Sequence, residues 1–281
     1  MNFLKMEGTG NDFILTHEIE SESIKDILKT IPSICNRKTG VGADGVIFIL
    51  PSSLADFKMR IFNSDGSEAQ MCGNGARCFS LYLKLLNLTK LDKISIETEA
   101  SVVITKFINE NMIRVDMGKP VLEGSKVPVS FCGHPVKRRQ ISVGNKIFNF
   151  TAISMGNPHA VIYADELSDE LVLDYGPQIE CHPCFPQKTN VEFIKVLSEK
   201  EIAMRVWERG CGETQSCGTG ACASVVSGII NELHGKDILV HLPGGELQVQ
   251  WNGSESDSVF LTGPAKKVFE GKISIPVDLN S

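Results

Sequence analysis

Apolar and polar residues alternate over Phe57-Lys58-Met59-Arg60-Ile61-Phe62 and again over Ile202-Ala203-Met204-Arg205-Val206-Trp207. Successive side chains of a strand point to opposite faces, so each run predicts a short strand. A polar, Gly-containing loop follows each run, then Cys-Gly-x-Gly-Ala, then a stretch of helical character. The first predicted helix, roughly 76–86, is apolar over most of its circumference; the second, roughly 221–231, is largely Ala, Ser, Val, Gly and Ile. Helices with so little polar surface are surrounded by protein. Residues 94–97, 112–117, 247–251 and 259–261 read as further strands. The inventory predicts an α+β fold in which a curved sheet wraps a central helix, built twice.

The duplication is visible in the residues themselves. Met59-Arg60-Ile61-Phe62 lies over Met204-Arg205-Val206-Trp207, and Cys72-Gly73-Asn74-Gly75-Ala76 lies over Cys217-Gly218-Thr219-Gly220-Ala221, at one ungapped offset of 145 residues. Glu68 meets Glu213 and Gln70 meets Gln215 at the same offset. Gly10-Asn11 and Lys38-Thr39-Gly40-Val41 find shorter echoes, in the same order, at Gly156-Asn157 and Lys188-Thr189-Asn190-Val191. Nothing recurs at the shorter spacing of a solenoid, so two similar halves are expected. Turn residues after a strand put the boundary near Gly118-Lys119-Pro120.

Composition narrows the partners. The chain has 281 residues, enough for two domains, with 42% hydrophobic and 22% charged residues and a net charge of -6. Without a long Lys/Arg run, neither nucleic acid nor an anionic membrane surface is an expected partner. There is no run of roughly 18 apolar residues to span a bilayer. The opening Met1-Asn2-Phe3-Leu4-Lys5-Met6-Glu7-Gly8 lacks the pattern of a signal peptide, so the chain reads as cytoplasmic. In a reducing compartment the nine irregularly spaced cysteines argue against a disulfide framework. They should be buried, catalytic or metal-bound.

Cys72 and Cys217 stand out because each precedes a helix start. The unpaired N–H groups and the dipole there favour negative charge, which predicts a thiol pKa lowered from about 8.5 toward neutrality. The glycines allow close approach of a substrate, whose carboxylate the same N–H groups can bind. A lone cysteine in such a place is commonly a buried structural thiol. Two copies at equivalent positions point instead to paired chemistry. Facing each other across a cleft, two such thiols could invert an amino-acid α-carbon, one removing a proton while the other delivers one to the opposite face.

Met71-Cys72-Gly73-Asn74-Gly75-Ala76-Arg77-Cys78 and Ser216-Cys217-Gly218-Thr219-Gly220 resemble the two active-site motifs of diaminopimelate epimerases. The same holds for Gly8-Thr9-Gly10-Asn11-Asp12-Phe13, Asn63-Ser64-Asp65-Gly66-Ser67, Gly156-Asn157-Pro158-His159, Thr189-Asn190-Val191-Glu192 and Trp207-Glu208-Arg209-Gly210. The resemblance covers essentially the whole chain. It implies interconversion of LL- and meso-2,6-diaminopimelate, on the route to lysine and peptidoglycan, with no pyridoxal phosphate, metal or other cofactor. It implies a homodimer of two-domain subunits, divided as 1–118 plus 270–281 and 119–269, with a final strand near 272–275 returning to the first domain.

By the same resemblance, Cys217 is the base and Cys72 the acid in the LL-to-meso direction, and His159 and Glu208 tune the thiols. Asn11, Asn63, Asn157, Asn190, Glu208 and Arg209 are implied as substrate ligands, with the backbone of Gly73-Asn74 and Gly218-Thr219 holding the carboxylate beside the reacting carbon. The residue types suit a substrate with two carboxylates and two ammonium groups: Arg209 can grip a carboxylate bidentately, Glu208 can meet an ammonium, and asparagines both donate and accept. Asn63 and Glu208 occupy matched repeat positions, which suggests how a two-fold scaffold yields an asymmetric pocket. One departure is Gly42-Ala43-Asp44-Gly45, where many members of the family carry Gln at the position of Gly45.

Two rivals share parts of this evidence. Proline racemase and its hydroxyproline relatives use the same two-thiol logic and fold. A non-catalytic redox or zinc-binding protein could use Cys72 and Cys217, or Cys181-His182-Pro183-Cys184, although no second C-x-x-C completes a zinc site. Cys35, Cys78, Cys132, Cys211 and Cys222 are expected to be small buried side chains, Cys211 being the one whose place in the loop before Cys217 leaves it open to access.

Overall fold

The computed structural model describes residues 1–18 and 27–274. The chain forms two compact units, Met1–Val115 with Gly263–Ser281, and Asp116–Thr262. These junctions lie a few residues before the 118/119 and 269/270 expected from the sequence, and residues 275–281 of the returning segment fall outside the described residues.

The first unit runs β1 (Asn2–Gly8), β2 (Asn11–Thr16), α1 (Ile31–Cys35), β3 (Gly45–Leu50), β4 (Phe57–Asn63), β5 (Glu68–Ala69), α2 (Gly73–Leu85), β6 (Lys93–Glu97), β7 (Val102–Phe107) and β8 (Met112–Asp116). Along its sheet, β1–β2 is antiparallel, β2–β3 parallel, β3–β4 antiparallel, β4–β6 parallel, and β6–β7 and β7–β8 antiparallel, with β5 added to β4. The second unit runs β9 (Arg139–Val143), β10 (Lys146–Ser154), β11 (Pro158–Tyr163), α3 (Gly176–Glu180), β12 (Asn190–Ser198), β13 (Glu201–Glu208), β14 (Gly212–Thr214), α4 (Gly218–Ile230), β15 (Asp237–Leu242), β16 (Gly245–Gln250) and β17 (Phe260–Pro264).

Its pairings repeat the first unit's. β10–β11 is antiparallel, β11–β12 parallel, β12–β13 antiparallel, β13–β15 parallel, and β15–β16 and β16–β17 antiparallel, with β14 added to β13. β9 extends the sheet beyond β10, and β18 (Lys266–Lys272) does the same beyond β1, each antiparallel. The duplication read from the sequence is therefore a duplication of strand order and direction. Among the described residues the last strand pairs with β1 from Asn2↔Lys272 to Glu7↔Lys266, ahead of the expected 272–275, of which Ile275 lies outside the described residues.

In each unit the long helix is the element the sheet encloses. α2 is buried from Gly73 to Leu83 and packs against β1, β2, β3, β4, β7 and β18. α4 is buried over Gly220–Gly228 and packs against β10, β11, β12 and β16. Both helices begin three residues earlier than the sequence pattern placed them, so that the cysteine is the N-cap and the glycines form the first turn. Intrinsic propensity disfavours glycine there, and burial of the whole helix overrides it. Beyond the strands, apolar side chains fill a second layer: Ile31, Ile34, Val46, Phe48 and Phe62 in the first unit, Phe148, Phe150, Phe185, Val191 and Phe193 in the second. Among the described residues, no helix is long and apolar enough to cross a membrane.

Candidate active site

In the first unit Cys72 caps α2 with an extended backbone (φ -145°, ψ 116°), and its half-buried sulfur accepts the Gly75 N–H at 3.4 Å. Gly75 lets this turn press onto the sheet, since a Cβ there would lie 3.1 Å from Ile47 Cδ1 and 3.2 Å from Ile61 Cδ1. Asn74, buried, donates its amide to Asn11 Oδ1, and Asn11 Nδ2 donates to Asp44 Oδ2 at 3.3 Å. The turn that carries Asn11 needs left-handed backbone at Thr9 (φ 54°) and Gly10 (φ 86°). It is held from below by the buried Arg77, whose Nη2 donates to Thr9 Oγ1 at 2.8 Å.

Behind the turn, Asp12 takes Lys5 at 2.8 Å and Arg37 at 2.7 Å. Burial would raise the Asp12 carboxyl, but the bonds from Arg37 and Lys5 prevail and hold it at about 2. Asn63, at the end of β4, is exposed and donates to Ser67 Oγ at 3.0 Å. Gly73 and Asn74 thus sit with Cys72 and Asn11 at one helix start, while Asn63 stands apart from their hydrogen bonds.

The departure at Gly45 has a packing cause. Gly45 opens β3 opposite Asn63, and a Cβ on it would meet the Phe62 carbonyl oxygen at 2.4 Å. No side chain fits there without moving β4.

The second unit gathers more of the candidates. Cys217 caps α4 (φ -124°, ψ 109°), is buried, and lies 3.5 Å from Thr219 Oγ1. Asn157 Nδ2 donates to the same hydroxyl at 3.3 Å, and Asn157 Oδ1 is 2.9 Å from His159 Nε2. His159 Nδ1 is 2.7 Å from Glu192 Oε1, both side chains being fully buried. Glu208, at the end of β13, accepts the Thr214 hydroxyl. Asn190, buried, uses both amide ends: Nδ2 donates to the Pro158 carbonyl at 2.9 Å and Oδ1 accepts the Arg209 N–H at 3.0 Å. Arg209 itself is exposed, donating to the Gln187 carbonyl at 3.2 Å. Gly218, buried, and Thr219 form the first turn of α4.

The electrostatics of Cys217 reverse the expectation drawn from its helix start. Burial pushes the thiol well above its usual value, and the charges of Glu208 and Glu192 push the same way. The dipole at a helix end does not compensate for loss of water around the sulfur. Glu208 is also raised, mainly by burial, while Thr214 and the Cys217 thiol stabilise its carboxylate. A proton held between Cys217 and Glu208 therefore finds two groups both shifted toward the protonated form.

Two buried acids escaped the sequence reading. Glu180 accepts the Trp207 indole N–H at 2.8 Å and the Gly210 N–H at 3.0 Å, pinning the loop that presents Arg209. Glu192 was visible only as part of Thr189-Asn190-Val191-Glu192, with no sign that it pairs with His159 across two strands. Among the remaining thiols, Cys35, Cys78, Cys184 and Cys222 are buried, and Cys181 and Cys211 are exposed. Cys132, expected to be buried, is exposed, because it lies in the loop before β9.

A family model described as diaminopimelate epimerase matches residues 3–123 and 151–268. The diaminopimelate epimerase of Halothermothrix orenii is 47% identical over 283 residues, covering 98% of each chain. That of Carboxydothermus hydrogenoformans is 48% identical over 275 residues, covering 97% of this chain and 99% of its own. Among solved structures, a hydroxyproline epimerase from Agrobacterium vitis superposes with a TM-score of 0.69 at 16% identity, covering 97% of this chain and 90% of that one. A probable proline racemase from Agrobacterium radiobacter K84 gives 0.71 at 14% identity, covering 99% and 94%. These structures share the fold; the sequence relatives share far more, and the chain belongs to the diaminopimelate epimerase family.

Proposed function

We propose that this chain epimerises LL-2,6-diaminopimelate to the meso isomer, with Cys72 and Cys217 transferring protons at opposite faces of one α-carbon. The observation that carries the reading is the duplicated helix start: each thiol is the N-cap of its unit's enclosed helix, beside N–H groups suited to a carboxylate. Near-complete coverage at 47–48% identity by diaminopimelate epimerases supports the substrate.

The raised thiol at Cys217 refines the chemistry. Cys217 rests as S–H, and Glu208, itself raised by burial, takes that proton as the thiolate forms. The thiolate removes the proton from the substrate α-carbon, and the Cys72 thiol delivers one to the opposite face; the reverse reaction exchanges the two roles. Negative charge developing on the substrate is stabilised by the N–H groups of Gly73-Asn74 and Gly218-Thr219. Asn11, Asn63, Asn157, Asn190 and Arg209 supply the polar groups that recognise the rest of the substrate. The active form is a homodimer in the cytoplasm, as the family resemblance implies, and sedimentation velocity tests the assembly.

Incubation with LL-diaminopimelate in D2O tests the whole reading. Wild type should incorporate deuterium at the inverted carbon, and Cys72→Ser and Cys217→Ser should each lose epimerisation. Full activity in either variant sinks the two-thiol mechanism, and no deuterium uptake by wild type sinks the assigned reaction.

A further inference from the structure

The pseudo-repeat contains its own control for one pair of side chains. At the offset of 145 residues, Gly45 corresponds to Asn190, Ile47 to Glu192 and Gly75 to Gly220. The strand ladders agree: Phe13 pairs with Gly45 on parallel strands, as His159 pairs with Asn190. So do the helix starts. A Cβ on Gly75 would lie 3.1 Å from Ile47 Cδ1, and a Cβ on Gly220 would lie 2.8 Å from Glu192 Oε1. The first unit therefore fills these two buried positions with Phe13 and Ile47, and the second fills them with His159 and Glu192.

We propose that Glu192 is a positioning residue for the epimerisation, acting through His159. This rests on the reaction assigned above. Packing alone does not require a hydrogen-bonded polar pair at these positions, since the matched unit builds the same ladder with apolar side chains. Replacing both partners of a buried hydrogen bond by apolar groups of similar shape is often nearly neutral or stabilising, so the pair needs a reason other than stability. Its connections supply one. Glu192 Oε1 holds His159 Nδ1 at 2.7 Å, which aims Nε2 at Asn157 Oδ1, 2.9 Å away. The Asn157 amide then reaches Thr219 Oγ1 at 3.3 Å, which lies 3.5 Å from Cys217 Sγ. Glu192 thus anchors the far end of a hydrogen-bonded chain that terminates on the reacting thiol and includes two candidate substrate ligands. The second oxygen of Glu192 is buried and has no hydrogen-bond partner among the described residues, so His159 is the carboxylate's one hydrogen-bonded side-chain contact there.

The test compares four variants with wild type in the D2O epimerisation assay: Glu192→Gln, His159→Gln, the combination of these two, and the repeat-swapped His159→Phe with Glu192→Ile. Glu192→Gln should lower kcat about 10- to 100-fold, the range typical for losing the partner that orients a working histidine, with KM changed less than about threefold. Each variant is measured at its own pH optimum, so that the direct charge of Glu192 on Cys217 moves only the pH profile. The Gln/Gln combination should then be no worse in kcat than His159→Gln alone, because a residue positioning another adds nothing once the other is gone. The swapped variant should fold, with thermal unfolding close to wild type, and lack activity. Wild-type kcat in Glu192→Gln, losses that multiply in the combination, or a swapped variant that does not fold each overturn the inference. Failure of the wild type itself to epimerise LL-diaminopimelate would instead strike the assigned reaction.

Discussion

Substituting Gly45 tests the reading that packing, not recognition, dictates this position. A Cβ there would sit 2.4 Å from the Phe62 carbonyl oxygen, and 3.6 Å from Asn63 Cα. Ordinary van der Waals contact of a Cβ begins at 3.4 Å, so roughly 1 Å must be recovered by moving backbone inside the β3–β4 ladder, where no flexible side-chain end can yield. Overpacking of this kind costs about 1–3 kcal/mol. At about 2–4 °C per kcal/mol for a chain of this size class, Gly45→Ala should lower the thermal midpoint by about 2–12 °C. The strain relaxes through the residues opposite, so Asn63 moves and KM for LL-diaminopimelate rises. Gly45→Gln should show the same loss and restore no substrate contact. Circular dichroism melts and initial-rate kinetics give both numbers. A Gly45→Ala midpoint within about 1 °C of wild type, with unchanged KM, refutes the argument.

Glu208→Gln removes one of the charges that hold the Cys217 thiol up, so loss of its proton to solvent should occur at lower pH, while epimerisation, which uses Glu208 to take that proton, should fall. Alkylation at Cys217, followed by mass spectrometry across pH, would then rise earlier than in wild type; an unchanged or later rise contradicts the electrostatic account. Asp12 is lowered from 3.8 to about 2 in the folded protein. Its stabilisation is therefore complete above about pH 4 and lost as pH falls toward 2. After allowance for the exposure of Arg37 this amounts to about 1 kcal/mol, so Asp12→Asn should flatten the acid limb of a stability–pH curve. Brief iodoacetamide treatment at pH 8 should label the exposed Cys132, Cys181 and Cys211. Burial raises Cys35 to about 11 and Cys78 to about 12, so both should stay unlabelled, and labelling of either would show that its unit opens readily.

Much of this protein is legible in its one-dimensional pattern. Alternation located the strands that precede Cys72 and Cys217, and self-comparison found the duplication, because equivalent positions in two similar units meet the same local constraints. The Cys-Gly-x-Gly signature placed a thiol at each helix start, since capping and the left-handed or crowded sites that need glycine are local properties of the chain. Other features depend on which strands become neighbours. The parallel pairing of β11 with β12 brings His159 to Glu192, thirty-three residues away, and no periodicity announces that contact. The antiparallel pairing of β3 with β4 puts the Phe62 carbonyl where a side chain at 45 would go.

The two thiols show the division most clearly. From the sequence alone both should be acidified by a helix N-terminus, a short-range effect of the backbone that follows each cysteine. For Cys217 the enclosing sheet removes water and sets Glu208 and Glu192 nearby, and the thiol is raised instead. Chain order determined where the sulfur sits on its helix. Only the tertiary structure decided its charge state, because solvation and Coulomb energies depend on everything within a few ångströms, whatever its distance along the chain.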